Sequence, residues 1–178
     1  NKVFEVIEAQ RIFKLPLSKF KILVHPKSYV HAIVKFTNGI TKILIHDTNM
    51  EIPIFNSLYY NNPDKKLITS EIDFDKINNL NFSNVSHSKF PSIDLLKKMP
   101  KNISLFETVL ISANDSLVEL FLSKKIKYTD INKYLNIIIN LKEFSKLKLI
   151  QPKNVNQIIK LSKYVALKTK SLSVLSHS

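Results

Sequence analysis

Residues 104–122 read SLFETVLISANDSLVELFL. Ser104 and Glu107 form an S-x-x-E capping box, in which hydroxyl and carboxylate each satisfy a backbone N–H that a helix start leaves free. Leu105, Phe106, Val109, Leu110, Ala113, Leu117, Leu120 and Phe121 then trace an apolar stripe at helical spacing, so a core-facing helix is expected from Leu105 to Leu122. Asn114 and Asp115 interrupt the stripe, and because both side chains disfavour a helix interior they are expected to bond a neighbouring loop. Similar periodicity predicts helices over Ser92 to Met99, Ile131 to about Leu147, and Asn154 to about Leu172. The C-terminal half therefore reads as a small helical bundle.

Upstream the pattern is mixed. Val3, Phe4, Val6, Ile7, Ile12 and Phe13 recur at near-helical spacing from Lys2 to about Lys14, and Pro16 stops them. Phe20 to Val24 reads as a strand that must end at His25-Pro26, since Pro cannot donate to a ladder. His31 to Phe36 and Ile40 to Ile45 flank Thr37-Asn38-Gly39, and Asn-Gly between two such runs predicts a type I′ hairpin with φ > 0 at both central residues. After the loop His46 to Met50, Pro53 is expected as the first residue of a short helix to about Tyr59. Residues 60–89 are dominated by Asn, Asp, Ser, Lys and Pro and read as a connecting arm. The fold class is α+β: a small sheet with a β-hairpin, an arm, and a helical bundle.

Composition narrows the function classes. Among 178 residues, 44% are apolar, enough for a globular core, and no run of about 18 uncharged apolar residues suggests a bilayer span. No signal-peptide pattern opens the chain, and Asn1 in place of Met reads as the start of a fragment. Zero Cys excludes disulfides, thiolate metal sites and Cys nucleophiles. The net charge of +13 would ordinarily raise nucleic acid or anionic membrane as a partner. Only Arg11 is arginine, however, and Lys is scattered through every segment with little aromatic interleaving, in a composition weighted to AT-rich codons. That pattern favours a solvated basic surface, with no nucleic-acid and no membrane partner.

The first residues carry the sharpest chemical pattern. An amide at Asn1 and an ammonium at Lys2, set on a helix N-terminus with its free N–H groups, make a small anion site. Glu5, at i+4 and i+3, shares their face and places a hard oxygen ligand for Mg²⁺ or Mn²⁺ beside a bound phosphate ester. On spacing alone, the commoner reading is a solvated Lys2–Glu5 pair. His25 and His31 around a strand end are suited to metal, proton or hydroxyl chemistry, or to structural hydrogen bonds. Met50 suits a pocket cap or a core filler. With one Gly in the chain, no glycine-rich nucleotide loop is present.

Taken in order, these segments resemble the C-terminal part of the 1-deoxy-D-xylulose 5-phosphate reductoisomerase family. The family pattern NKGLExIEAxxLF is similar to Asn1 through Phe13, HPQSxxHxxVxxxDG to His25 through Gly39, and PDMRTPI to Thr48 through Ile54. The DF and LTF elements resemble Asp73-Phe74 and Leu80-Asn81-Phe82. The FPxxxL segment resembles Phe90 through Leu95, and LNAANEVAVxxFLxxxIxFxDI resembles Leu110 to Leu122 with Ile126 to Ile131.

The resemblance implies an NADPH-dependent enzyme of non-mevalonate isoprenoid biosynthesis, using Mg²⁺ or Mn²⁺ and a phosphorylated sugar. It implies Glu5 as a catalytic metal ligand, and Asn1, Lys2, Glu5, His31 and Met50 as substrate-binding residues. In the family, a retro-aldol/aldol rearrangement precedes hydride reduction. By the same resemblance, residues 1–59 are the back half of the catalytic domain, 60–90 a connecting arm and 91–178 the C-terminal helical domain. NADPH would be bound mainly by an N-terminal domain preceding Asn1, as would the D-x-E pair of metal ligands, so the chain alone is expected to be inactive. The full-length enzyme is expected to be a homodimer of the bacterial cytoplasm, with a plastid as the alternative. Val3 in place of Gly, Lys27 in place of Gln, and Thr48-Asn49 in place of Pro-Asp depart from the pattern. The competing function is a non-catalytic basic module binding RNA or anionic surfaces.

Overall fold

Val3, Ile7 and Gln10 recur at helical spacing along α1 (Lys2–Phe13), and all three are buried. Lys14 adopts a left-handed conformation (φ 53°) that ends the helix, and Pro16 prevents its resumption. The computed structural model describes residues 1–175 and divides the chain into two compact units. One comprises Asn1–Lys21 with the chain from Ser86 onward, and the other is Ile22–Val85. This differs from the expected grouping of residues 1–59, 60–90 and 91–178. The physical reason is the inner face of α1: Val3 and Ile7 share a core with Leu95, Met99, Phe106 and Leu110.

That helical unit is built around α4 (Leu105–Leu122), whose Phe106, Val109, Ala113 and Leu117 are fully buried. The capping box forms as expected, with the Phe106 N–H donating to Ser104 Oγ at 3.2 Å and the Ser104 N–H to Glu107 Oε2 at 3.5 Å. Asn114 and Asp115 do not behave as expected: neither side chain bonds a loop among the described residues, and Asp115 is exposed. Residues Pro91–Lys98 form a 3₁₀ rather than an α-helix. Its buried residue is Leu95, with Ile93 and Leu96, three residues apart on the 3₁₀ turn, packed against the same core.

The expected helix from Ile131 to Leu147 starts earlier and breaks. α5 runs Tyr128–Ile139, and α6 (Lys142–Ser145) continues into a 3₁₀ turn, Lys146–Leu149. At the break, Asn140 Nδ2 takes the Asn136 carbonyl at 2.7 Å while its own N–H turns to Ile137 O at 3.2 Å, and Leu141 is extended. α7 (Val155–Leu175) begins after Asn154, whose Oδ1 accepts the Gln157 N–H at 2.9 Å. Among the described residues no helix is long and apolar enough to cross a membrane.

The second unit holds two antiparallel two-stranded sheets. β1 (Leu23–Val24) pairs with β4 (Ser83–Asn84), and β2 (Val30–Lys35) pairs with β3 (Thr41–Ile45). The hairpin turn differs from type I′: Gly39 has φ +89°, but Asn38 is not among the positive-φ residues. Instead the Gly39 N–H closes a turn onto Phe36 O at 3.1 Å, and Gly39 alone takes the left-handed position. α2 spans Glu51–Leu58 and opens two residues before Pro53, whose missing N–H falls within the first turn, where none is needed. The supposed arm carries structure of its own: β4, and α3 (Phe74–Asn78), capped by Asp73 Oδ1 accepting the Lys76 N–H at 3.1 Å.

Arg11 clamps α1 to the start of α4. Its guanidinium donates from Nε to Glu107 Oε1 at 2.7 Å and from Nη2 to the same oxygen, and it also reaches the carbonyls of Lys101 (3.1 Å) and Asn102 (3.2 Å). Lysine cannot reproduce that fork. Arg11→Lys is expected to cost about 1.5–3 kcal/mol, or roughly 3–12 °C in thermal midpoint for a chain of this size; an unchanged midpoint in calorimetry would remove the clamp from the supports of the fold.

The Lys76 N–H, and then the Lys76 ammonium, hold the Asp73 carboxyl below its usual range. A lowered native pKa contributes stability that is present above the unfolded value of about 3.9 and is lost as pH falls through the native one. Amide exchange at Lys76, corrected for its intrinsic pH dependence, should therefore accelerate only below about pH 4. Asp73→Asn, which keeps a cap acceptor, should abolish that acceleration. Acceleration that persists in Asp73→Asn would assign it to another group.

Candidate functional site

Because Val3 and Ile7 face the core, the opposite side of the first turn of α1 carries Asn1, Lys2 and Glu5 to solvent. Asn1 is the N-cap residue but makes no side-chain cap; its Nδ2 donates to Glu5 Oε1 at 2.6 Å, and Lys2 Nζ donates to Oε2 at 2.5 Å. The three residues are thus brought together as their spacing predicts. With the Asn1 side chain committed to Glu5, it does not cap the first-turn N–H groups, which among the described residues remain able to meet an anion. Glu8, one turn on, is exposed.

Glu5 suits one position in the oxygen shell of a hard divalent cation, since its carboxylate is partly exposed and held only by groups that a cation or a phosphate could displace. Among the described residues no cluster of three potential metal-ligating side chains exists, and beside Asn1 and Lys2 the first turn of α1 contributes the Glu5 carboxylate. The one Gly of the chain serves the hairpin turn.

In the second unit, His31 lies on β2, exposed, with its ring stacked on His46 and its Nε2 at 2.9 Å from the His46 carbonyl oxygen. Met50 precedes α2 and is 67% exposed, which rules out the core-filler reading. Its loop is pinned by Asn49, whose Oδ1 accepts the Glu51 N–H at 2.9 Å. His25 Nδ1 lies 3.3 Å from Asn81 O and the ring packs on Phe82, while its buried Nε2 has no partner among the described residues. Sequence reasoning missed His46 and Lys76. Lys76 Nζ stands 3.5 Å from both Asp47 and Asp73 and 5.2 Å above the buried Tyr29 ring, and those two carboxylates raise its pKa against a desolvation that lowers it. Its one visible signal was a Lys three residues after a capping Asp.

The comparisons with known proteins point to one family. Residues 46–166 match the model of the DXP reductoisomerase C-terminal domain. The chain is 53% identical to the 1-deoxy-D-xylulose 5-phosphate reductoisomerase of Pelagibacter ubique over 98% of its own length and 45% of that protein, and 36% identical to that of Sulfurihydrogenibium over 83% and 39%. It therefore spans less than half the length of these curated relatives. Among solved structures, the Zymomonas mobilis reductoisomerase in complex with NADPH superposes with TM-score 0.76 at 28% identity, covering 97% of this chain and 44% of that one. A DOX-P reductoisomerase in complex with NADPH, fosmidomycin and magnesium shares the fold at TM-score 0.86 and 22% identity, over all of this chain and 44% of the other. The chain belongs to the DXP reductoisomerase family, through residues 46–166 that match its C-terminal domain.

Proposed function

We propose that this chain is the C-terminal part of an NADPH-dependent reductoisomerase that converts 1-deoxy-D-xylulose 5-phosphate to 2-C-methyl-D-erythritol 4-phosphate. The observation that carries the reading is Asn1, Lys2 and Glu5 gathered on the solvent face of a helix start whose other face is fixed in the core. The relatives' names and the NADPH and magnesium complexes of the structural neighbours support it. No observation favours the basic-module alternative.

In this reading Lys2 and the first-turn N–H groups bind the substrate phosphate, Asn1 donates to a substrate oxygen, and Glu5 is one ligand of Mg²⁺ or Mn²⁺. When bound, the metal supplies Lewis acidity at the substrate oxygens. His31 offers a ring nitrogen to the sugar, and Met50 an apolar contact. NADPH is assigned to none of these residues. Homodimeric assembly and a bacterial cytoplasmic setting belong to the same proposal. Support for a further covering surface comes from the hairpin, whose Ile33, Val34, Ile43 and Leu44 are all exposed although isolated two-stranded sheets are marginal.

Glu5→Gln should leave the fold intact and lower turnover of the full-length enzyme by at least about 100-fold through loss of an anionic ligand. Glu8→Gln should stay within a few-fold, and equal effects of the two would reject the metal assignment. Lys2→Ala should act mainly on KM, raising it roughly 10- to 150-fold, because a charge-assisted phosphate contact worth about 1.5–3 kcal/mol serves ground and transition states alike. An unchanged KM would leave Lys2 as no more than a solvated partner of Glu5.

A further inference from the structure

Between Val30 and Ala32 the pairing of β2 with β3 slips, and the residue at the slip is His31. A bulge re-aims a side chain out of the strict alternation of a strand. Here the His31 ring lies flat on that of His46, with centroids 3.6 Å apart and planes 5° from parallel. Its Nε2 is 2.9 Å from the His46 carbonyl oxygen. A carbonyl only accepts, so Nε2 donates, and a neutral His31 then carries a lone pair on Nδ1. The partner is held as well: His46 Nδ1 donates to the Asp47 carbonyl at 2.6 Å, and the Asp47 carboxylate accepts from Ser70 Oγ at 2.9 Å and faces Lys76 Nζ at 3.5 Å.

We propose that His46 is a positioning residue whose ring and carbonyl hold His31 in the Nε2–H tautomer, so that His31 Nδ1 accepts a hydrogen bond from a hydroxyl of the phosphorylated sugar. This rests on the substrate role given to His31 above and adds its sense. A lone pair on Nδ1 selects an O–H donor and repels an anionic oxygen, so His31 reads the polyol portion of the substrate and leaves the phosphate to cationic groups. The carbonyl selects the tautomer, and the stack matters because it keeps the imidazole seated on that carbonyl; a ring free to turn away exchanges between two tautomers with opposite preferences.

Nitrogen NMR of the full-length protein labelled with ¹⁵N-histidine tests the positioning directly, at about pH 8 where an ordinary imidazole is neutral. Wild type should show His31 protonated on Nε2, His46→Ala a mixture of tautomers, and His46→Phe, which keeps a flat ring, the wild-type pattern. The Nδ1–H form in wild type, or an unaltered His31 in His46→Ala, overturns the proposal. His46→Phe keeps it falsifiable should His46→Ala fold poorly, since a mixture in the phenylalanine variant shows that stacking does not hold the tautomer. On steady-state kinetics, His46→Ala should raise KM for the phosphorylated sugar about 3- to 10-fold, the range for one neutral hydrogen bond, with kcat little changed. His31→Ala should raise it at least as much. An unchanged KM in His31→Ala overturns the hydroxyl contact and the substrate role of His31 together, whereas the tautomer spectra judge His46 alone.

Discussion

The carboxylate of Glu107 is the point on which the helical unit turns. Its Oε2 takes the Ser104 N–H at the start of α4, and its Oε1 takes the Arg11 guanidinium from α1. One side chain thus caps the central helix and fixes the angle at which α1 lies on it. The pair is largely enclosed, with side-chain exposures of 22% for Arg11 and 16% for Glu107, so neither partner is well hydrated if the other is removed. A half-broken pair of this kind costs far more than an exposed one. With its C-terminal end clamped by Arg11 and its inner face filled by Val3 and Ile7, α1 presents Asn1, Lys2 and Glu5 from a rigid support. Side chains placed from a rigid helix hold their geometry better than side chains placed from a loop.

What could be read from the sequence was local. The capping box at Ser104, the stripe of α4, the i+3 and i+4 spacing of Lys2 and Asn1 from Glu5, and the need for Gly39 all follow from rules that reach no further than four residues. The missed features depend on partners distant in the chain. The pairing of Leu23–Val24 with Ser83–Asn84 is hidden because β4 is two polar residues in a polar stretch. Lys14 ends α1 in a conformation for which Gly is the usual signal. At Asn140 the helix breaks through a side-chain hydrogen bond that competes with the backbone, and nothing in the Ile-rich run before it announces this.

The candidate site divides along the same line. Asn1, Lys2 and Glu5 were legible because a single helical turn brings them together. Neither the bulge at His31 nor its stack on His46 was legible, since strand register depends on the whole pairing and a slip of one residue has no signature in composition. Arg11 stood out as the one arginine among 27 basic residues, yet its role became visible only with Glu107, 96 positions away. In a chain that uses lysine wherever a solvated charge suffices, the planar fork is found where several carbonyls and a carboxylate must be met at once.

The Lys2–Glu5 pair is the opposite case, and its weakness suits the proposed chemistry. Lys2 is 65% and Glu5 42% exposed, and an ion pair so solvated stabilises the resting protein by no more than about 1 kcal/mol. If Lys2 is to meet a phosphate and Glu5 a divalent cation, both must leave each other. Separating an enclosed pair such as Arg11–Glu107 would consume several kcal/mol of binding energy before any substrate contact was made. Separating Lys2 from Glu5 consumes little, and each group then meets a partner of higher charge than the one it left. Until then the pair keeps both side chains ordered on one face of α1 without an unmatched charge. A weak, solvated ion pair on the first turn of a strongly anchored helix is thus the resting arrangement that an exchange of partners requires.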